Sequence, residues 1–269
     1  MDAQLVQLDR DHPGFRDPHY RERRDAIARI ALDHRPGMPV PVAPYTDEEH
    51  GVWRTILATL EPLHAELVCQ PLNDVQATMA LDRQQIPQLC AVNDVLAAAS
   101  GFAMVPAPGL ATPRGFLELL ADGFFFSTQY IRHHSRPLYT PEPDVVHELV
   151  GHAASLLHPD IVALSRAFGR AARRADDVAV QRLIQAYWYT LEFGATEEGG
   201  VVKAYGAGLL SSAGELARFV TEAELRAWDL ERLADTAFDP TDYQPQIYVA
   251  PSFDRMVADL GAWLEAMGA

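Results

Sequence analysis

The sequence predicts a mainly α fold with a small β component, of the α+β class, in one domain. Two observations favour helices: apolar residues recur at helical spacing in most segments after residue 45, and helix-start signals precede several of these segments. A third observation gives the β component, because the stretches 199–205 and 246–250 have the weak alternation and composition of short strands. The sequence contains no internal repeat and no low-complexity tract.

The first 35 residues are predicted to form a polar leader. Arginines alternate with acidic residues here, which favours a solvated arm with one short helix over 21–32. Four prolines then make a stiff, extended segment that cannot be helical: Pro36, Pro39, Pro41 and Pro44. We therefore expect residues 1–35 to be the leader and residues 36–269 to be the folded domain.

The first helix of the domain is predicted to begin after Thr46. Glu49 follows three residues later, which is the form of a capping box, and apolar residues at helical spacing continue to Leu60. Pro62 should kink or end this helix. A second start signal is Thr112 before a proline, which predicts a helix over 114–121.

The remaining predicted elements follow from the same signals. The aromatic-rich stretch 124–131 could be a strand or a short buried helix, and Gly194 should end the helix predicted over 177–193. Ser212 and Glu215 repeat the capping-box form and should begin another. The predicted segments are 124–131 (strand or helix), 144–157 (helix), 177–193 (helix) and 253–267 (helix).

Charge and cysteine content exclude several classes of protein. With 37 acidic and 22 basic side chains, the formal net charge is −15, which argues against a nucleic-acid binder and against an anionic membrane surface. No apolar run reaches the roughly 18 residues that a membrane-spanning helix needs. Cys69 and Cys90 are not part of a CxxC pair, so we expect neither a disulfide framework nor a thiolate zinc site. A reducing, cytoplasmic location is the expectation.

Two histidines and a glutamate lie on the otherwise apolar helix predicted over 144–157. His147 and His152 are five residues apart, so on an ideal helix they point about 140° away from each other. The zinc-peptidase pattern HExxH therefore fails by one residue. Both side chains can face one ion only where the helix begins, ends or is distorted, which Gly151 would permit.

Glu192 is a second indication of a metal site. Ile184, Trp188 and Glu192 are successive i+4 positions, so a carboxylate continues an apolar, aromatic stripe. Burying it requires a partner, which an arginine or a metal ion could provide. Two imidazoles and one carboxylate form the ligand set of non-haem Fe(II) oxygenases, and zinc hydrolases use the same ligand types. Ligand chemistry alone leaves both classes open.

Five motifs, whose order along the chain also matches, resemble those of the pterin-dependent aromatic amino acid hydroxylases. This family includes the phenylalanine, tyrosine and tryptophan hydroxylases. The resemblance covers about residues 45–255, and the motifs are STQYIRH at 127–133, YTPEPD at 139–144, HELVGH at 147–152, YWYTLEFG at 187–194 and KAYGAGLLSS at 203–212. The resemblance implies the catalytic-domain fold of that family. It also implies ring hydroxylation of a free aromatic amino acid with Fe(II), a tetrahydropterin and O₂.

The resemblance also implies a role for each matching residue. His147, His152 and Glu192 would hold Fe(II), and Arg132 would bind the substrate carboxylate, for which a planar guanidinium is suited. The other residues that the resemblance assigns to the amino acid are Thr140 and Ser211 for its backbone, and Trp188, Pro143, Phe193 and Phe126 around its ring. Those assigned to the pterin are Phe116 as the stacking ring, Gly109 and Leu110 as the loop that binds its edge, and Glu148 as an acid acting through water.

Departures from the family pattern concern the substrate. Ala153 and the two residues after it replace the usual Val-Pro or Cys-Pro, and Phe126 and Ser127 stand where animal phenylalanine hydroxylases have His-Cys. Trp188 favours phenylalanine over tryptophan. Phenylalanine to tyrosine is the expected reaction; the bulk of Phe126 raises the hypothesis of meta-tyrosine, and a tryptophan 5-hydroxylase is a further alternative.

Two alternatives come from other classes: a zinc hydrolase, and a binder of aromatic amino acids without catalysis. The animal enzymes carry a regulatory domain and a tetramerisation helix that the 269 residues leave no room for. The expectation is a catalytic domain alone, monomeric, whose partners are an aromatic amino acid, a pterin and O₂.

Overall fold

A computed structural model gives the structure, and it describes residues 8, 10, 12–32, 34–35, 37–109, 111–138, 140, 142–240 and 242–269. The helices are α1 Pro18–Ile30, α2 Asp47–Leu67, α3 Gln70–Met79, α4 Leu89–Ala99, α5 Pro113–Leu120, α6 Pro159–Arg174, α7 Asp177–Tyr187, α8 Ala207–Ser211, α9 Ala213–Leu216, α10 Phe219–Glu222, α11 Leu230–Ala234 and α12 Phe253–Ala266. The strands are β1 Ala103–Pro106, β2 Phe124–Ser127, β3 Ala195–Glu198, β4 Val201–Ala204, β5 Glu224–Ala227 and β6 Gln246–Ala250. Two π-helical turns, His147–Ala153 and Trp188–Glu192, and a 3₁₀ turn, Pro13–Arg16, complete the elements.

The predicted fold class is confirmed, since helices dominate and the strands form two small sheets. One sheet has the order β4-β3-β6-β5, and β1 pairs in parallel with β2. β3 and β4 form a hairpin whose two-residue turn is Gly199 and Gly200, both with positive φ (61° and 81°), the conformation that a tight hairpin turn requires and glycine allows. The strand predicted over 199–205 is β4, and that predicted over 246–250 is β6.

The helix-start signals at Thr46 and Thr112 are both confirmed. The Thr46 hydroxyl accepts a hydrogen bond from the Glu49 backbone, and the Glu49 carboxylate accepts one from the Thr46 backbone at 2.7 Å. α2 nevertheless continues five residues beyond Pro62, so the proline does not end it. The Thr112 hydroxyl caps α5 at the Gly115 backbone.

The capping box predicted at Ser212 is wrong. The Ser212 side chain makes no capping hydrogen bond, although the short helix α9 does begin there. The Glu215 carboxylate points elsewhere and accepts a hydrogen bond from the Gln244 backbone at 2.7 Å. The Glu215 carboxylate, which the local pattern assigned to the helix end, is therefore used in a tertiary hydrogen bond instead.

The N-terminal helix α1 is docked on the domain, contrary to the expected solvated arm. Arg24 is buried, forms an ion pair with Glu142, and lies over the Tyr130 ring, 3.9 Å from its centroid. Ile27 and Ala28 share a small apolar cluster with Tyr130. Alternating charges suggested solvent exposure, but one face of the helix carries a buried arginine and two apolar side chains, and Tyr20 and Arg23 add hydrogen bonds to the domain.

The main apolar core lies between α2, α5, α6, α7 and the two π-helical turns. Its large, fully buried side chains include Trp53, Phe102, Phe168 and Tyr189. The two π-helical turns pack beside the short helix α8, whose residues are all buried. Within the described residues, no helix is long and apolar enough to cross a membrane.

Candidate functional site

Three side chains from the two π-helical turns converge on one point. Nε2 of His147 lies 3.2 Å from one carboxylate oxygen of Glu192, and Nε2 of His152 lies 3.1 Å from the other. The two Nε2 atoms are 2.9 Å apart. Two imidazoles and one carboxylate therefore present their ligand atoms to the same small volume, as the sequence predicts.

The π-helical turn explains how histidines five residues apart can share a site. Hydrogen bonds in a π-helix run from residue i to i+5, so a residue and the fifth after it lie on the same face. His147 begins this turn and His152 lies in it. The predicted distortion of the helix is confirmed, and its form is a π-helical turn, which is frequent at functional sites.

Glu192 is placed by the second π-helical turn. The Phe193 backbone donates to the Trp188 carbonyl at 2.8 Å, an i to i+5 bond. α7 ends at Tyr187, so the i+4 stripe expected through Ile184, Trp188 and Glu192 is rotated at its end. The extra residue in the turn directs Glu192 towards the histidines.

The protonation of His147 and Glu192 fits a metal ion. Burial lowers the pKa of His147 to about 4, although the nearby Glu192 carboxylate acts in the opposite direction. Burial raises the pKa of Glu192, but the two histidines outweigh it and the net pKa lies below the ordinary value. A neutral imidazole and an ionised carboxylate are the forms that bind metals. The donor set suits Fe(II) and also Zn²⁺.

The far side of His147 is held by Ser211. Its Nδ1 lies 2.9 Å from the Ser211 Oγ, and that hydroxyl in turn donates to the Ala207 carbonyl at 2.9 Å. Since the hydroxyl hydrogen is used in this bond, Nδ1–H of His147 is the donor and Nε2 keeps its lone pair for a metal. The predicted substrate residue Ser211 thus lies directly behind His147, a predicted metal ligand.

Arg132 and Asp144 form a buried ion pair next to the metal site. Nε and Nη2 of Arg132 each donate to a different Asp144 oxygen at 2.8 Å, the bidentate geometry of a strong pair. Burial raises the pKa of Asp144, but the Arg132 charge and hydrogen bonds hold it below its ordinary value. Asp144 also accepts from the His147 backbone at 3.2 Å. Nη1 of Arg132 has no hydrogen-bond partner among the described residues.

Glu148 is a buried acid adjacent to the first ligand. One carboxylate oxygen accepts hydrogen bonds from the Thr128 backbone and hydroxyl at 3.1 and 3.0 Å. Burial raises the pKa of Glu148 to about 8 against these two bonds. Thr128 therefore fixes the orientation of the carboxyl group that the resemblance assigns to the pterin.

The predicted ring pocket has an aromatic wall. Trp188 is half-buried, tilts against Phe193 with ring centroids 4.8 Å apart, and stacks on Phe238 at 4.1 Å with 9° between the planes. Pro143 and Thr140 are half-buried on the segment after Arg132, and the Thr140 hydroxyl donates to the Glu142 carbonyl at 3.0 Å.

Strand β2 brings two phenylalanines to this region. Phe125 is buried and its ring lies 4.3 Å from that of His152. Phe126 is half-buried and leaves the strand on the opposite face, because successive side chains of a strand alternate. The contact with a metal ligand therefore belongs to Phe125, which the sequence did not single out.

The residues predicted for the pterin are partly described. Phe116 is half-buried, with Phe125 and Tyr187 edge-to-face against it at centroid distances of 5.3 and 5.1 Å. Gly109 is half-buried after β1, and Leu110 lies outside the described residues. Phe116 is thus anchored by two aromatic neighbours.

Sequence reasoning missed several residues that hold the site together. They are Thr128, Asp144, Tyr187, Phe238 and Gln244, which contact predicted site residues. Three of them lie within the family-like motifs, so their position beside a predicted residue was the available signal. Phe238 and Gln244 lie outside every motif, and only the fold places them here.

A family model for biopterin-dependent aromatic amino acid hydroxylases matches residues 3–268. Phenylalanine-4-hydroxylase from Mus musculus is 42% identical over 254 residues, which cover 93% of this chain and 56% of that protein. Tyrosine 3-monooxygenase from Drosophila melanogaster is 40% identical over 268 residues, covering 97% of this chain and 46% of that protein. The chain thus spans about half the length of the curated relatives it matches.

Solved structures show the same similarity. Chromobacterium violaceum phenylalanine hydroxylase with bound iron(III) and oxidised 7,8-dihydrobiopterin has a TM-score of 0.80 and 28% sequence identity, covering 91% of this chain and 90% of that chain. The cold-active phenylalanine hydroxylase from Colwellia psychrerythraea has a TM-score of 0.74 and 26% identity, covering 83% of this chain and 90% of that chain.

Proposed function

Because the chain belongs to the biopterin-dependent aromatic amino acid hydroxylases, we propose that it hydroxylates the ring of free L-phenylalanine to give tyrosine. The observation that carries this proposal is the convergence of His147, His152 and Glu192 within 4.8 Å on two π-helical turns. Two imidazoles and one carboxylate suit iron, and three protein ligands leave coordination positions open for reactants.

The cofactors would be Fe(II) and a tetrahydropterin. The three convergent side chains would hold the iron, with Ser211 fixing the tautomer of His147. Phe116 would stack on the pterin, the loop at 109–110 would bind its edge, and Glu148 would act on it through water. When bound, iron and pterin together supply the activation of O₂ that places one oxygen atom on the substrate ring while the pterin provides two electrons.

The protein's contribution is to position the amino acid. Arg132 would bind the substrate carboxylate through its outer edge, because Asp144 already occupies Nε and Nη2 and holds the guanidinium in place. Trp188 and Phe193 would form the wall for the ring, with Pro143 completing it. Burial of these groups excludes water and strengthens the charged contact.

Thr140 and Ser211 would hold the backbone of the substrate through its ammonium group. Both hydroxyls donate to backbone carbonyls, of Glu142 and Ala207, so each can accept a further hydrogen bond. For Ser211 that acceptor capacity is shared with His147. Substrate binding and the metal ligand would therefore be coupled through one hydroxyl.

Product identification tests the proposal. The purified protein is incubated with Fe(II), a tetrahydropterin, O₂ and L-phenylalanine, L-tyrosine or L-tryptophan in parallel, and the products are separated by chromatography. Tyrosine from phenylalanine is expected, and Glu192→Ala should abolish it. His134→Ala is the matched control, since that histidine is exposed and paired with Glu48 outside the site. Absence of any hydroxylated product from the iron-loaded protein would contradict the proposal.

The same experiment decides between the alternatives. meta-Tyrosine as the product would support the hypothesis of a ring tilted by Phe126, and 5-hydroxytryptophan would identify the tryptophan alternative. Zinc in the purified protein, with an activity independent of O₂, would indicate a hydrolase. For location, we propose the cytoplasm, because Cys69 and Cys90 are free thiols, which a reducing compartment preserves.

A further inference from the structure

Gln244 lies in the segment between α11 and β6, and its buried side chain contacts the aromatic wall. Its Oε1 accepts a hydrogen bond from the indole Nε1 of Trp188 at 2.7 Å. Its Nε2 donates to the carbonyls of Asp239 and Asp242 at 3.0 Å each. Every hydrogen of the amide is therefore used.

The two carbonyls determine which way the amide faces. Carbonyl oxygens only accept, so the NH₂ group must point to them and the amide oxygen must point to the indole. The indole N–H can only donate, and no competing acceptor for it is found among the described residues. Phe238 from the same segment stacks on one face of Trp188 with 9° between the planes. Gln244 thus holds the indole by one edge and Phe238 holds it by one face.

The segment is also tied to the other side of the site. The Gln244 backbone donates to the Glu215 carboxylate at 2.7 Å, and Glu215 is itself buried. Glu215 follows α8, which carries the Ser211 hydroxyl behind His147. Hydrogen bonds therefore connect the aromatic wall to Glu215 in α9, the helix that directly follows α8 in the chain.

We propose that Gln244 is a positioning residue that determines the orientation of Trp188 and thereby the fit of the substrate ring. This inference rests on the proposed function, because it assigns Trp188 to the ring pocket. Among the described residues the Gln244 side chain has no hydrogen bond to His147, His152, Glu192 or Arg132, so we expect its effect on the substrate to pass through the indole. Losing one hydrogen bond between uncharged groups corresponds to roughly a fivefold change in an equilibrium constant.

Gln244→Met tests the proposal, because methionine keeps the volume and removes the amide, both the acceptor for the indole and the two donors to the Asp239 and Asp242 carbonyls. We expect the KM for phenylalanine to rise about fivefold, with the KM for the pterin and the affinity for Fe(II) unchanged. Gln246→Met is the matched control: this half-buried glutamine, two residues further along, donates to the Tyr189 hydroxyl instead and should leave all three values unchanged.

A double-mutant cycle shows whether the effect passes through Trp188. Trp188→Phe keeps an aromatic ring and removes the N–H, so Gln244→Met should change the KM for phenylalanine little in that background. An equal effect in both backgrounds would refute action through the indole. Should Gln244→Met not fold, Gln244→Asn, which keeps the amide but is one methylene shorter, enters the same cycle with the same expectation.

The controls separate this inference from the proposed function. A wild-type protein that forms no hydroxylated product would overturn the proposed function, and the inference with it. A wild-type protein that forms tyrosine, together with a Gln244→Met variant of unchanged KM, would overturn the inference only.

Discussion

Gly151, between the two histidine ligands, has no room for a side chain. A Cβ at this position would lie 2.6 Å from the carbonyl oxygen of Ala207 and 3.1 Å from both its carbonyl carbon and its Cβ. These atoms belong to α8, the helix that carries Ser211. The first π-helical turn and α8 are thus in backbone contact, and Gly151→Ala forces them apart.

The size of the effect follows from these distances. Restoring an ordinary contact of 3.4 Å to the Ala207 oxygen requires α8 to move by about 0.8 Å. Overpacking of this kind costs about 1–3 kcal/mol, and the better helix propensity of alanine offsets about 1 kcal/mol, so we expect a net loss of about 1 kcal/mol. The melting temperature should then fall by roughly 2–4 °C.

The same movement weakens the metal site. Ser211 moves with α8, which lengthens its 2.9 Å contact with Nδ1 of His147 beyond hydrogen-bonding distance. Loss of such a bond behind a histidine ligand typically lowers metal affinity about 10- to 100-fold. We therefore expect Gly151→Ala to bind Fe(II) at least about tenfold more weakly than the wild type.

Two measurements check the prediction. Urea unfolding reports the free energy, and anaerobic titration against a competing chelator reports the Fe(II) affinity. Gly261→Ala is the matched control, because Gly261 lies inside α12 and its added Cβ would meet only Leu164 of α6, at 4.0 Å. This variant should stabilise the protein by up to about 1 kcal/mol and leave iron binding unchanged. A Gly151→Ala protein with wild-type stability and affinity would show that the packing argument is wrong.

Three further predictions concern other buried polar groups. Ser211→Ala should lower Fe(II) affinity about 10- to 100-fold in the same chelator titration, because Nδ1–H of His147 loses the hydroxyl that accepts its hydrogen bond. Burial raises the pKa of Glu215 from 4.5 to about 7, so the folded state binds this proton more tightly than the unfolded state, and the free energy of unfolding falls as pH rises through that interval. Glu215→Gln removes the titrating group and should remove up to about 3 kcal/mol of this fall. Urea unfolding of both proteins at pH 5 and 8 measures the difference. Arg24→Met leaves Glu142 without its main partner and should cost about 3 kcal/mol in thermal unfolding, whereas Arg83→Met, at a solvent-exposed pair, should cost less than about 1 kcal/mol. Equal losses for the two arginine variants would contradict the role of burial.

Local signals predicted much of the fold because their physics is local. The Thr46 and Thr112 caps, the hairpin strand β4 and the strand β6 were predictable, since hydrogen bonding at a helix end and side-chain alternation involve neighbouring residues. The same reasoning failed at Ser212, where the Glu215 carboxylate binds the Gln244 backbone 29 positions away. The docking of α1 depends on Glu142, 118 positions from Arg24.

The sequence alone determined the chemical types of the site: two imidazoles, one carboxylate and an arginine, in motifs that resemble one enzyme family. Only the tertiary structure decided how they meet. Two π-helical turns rotate His152 and Glu192 towards His147, and backbone contact at Gly151 sets the position of Ser211. Ideal helical spacing places the two histidines apart, and the packing of α8 against the turn stabilises the geometry that brings them together.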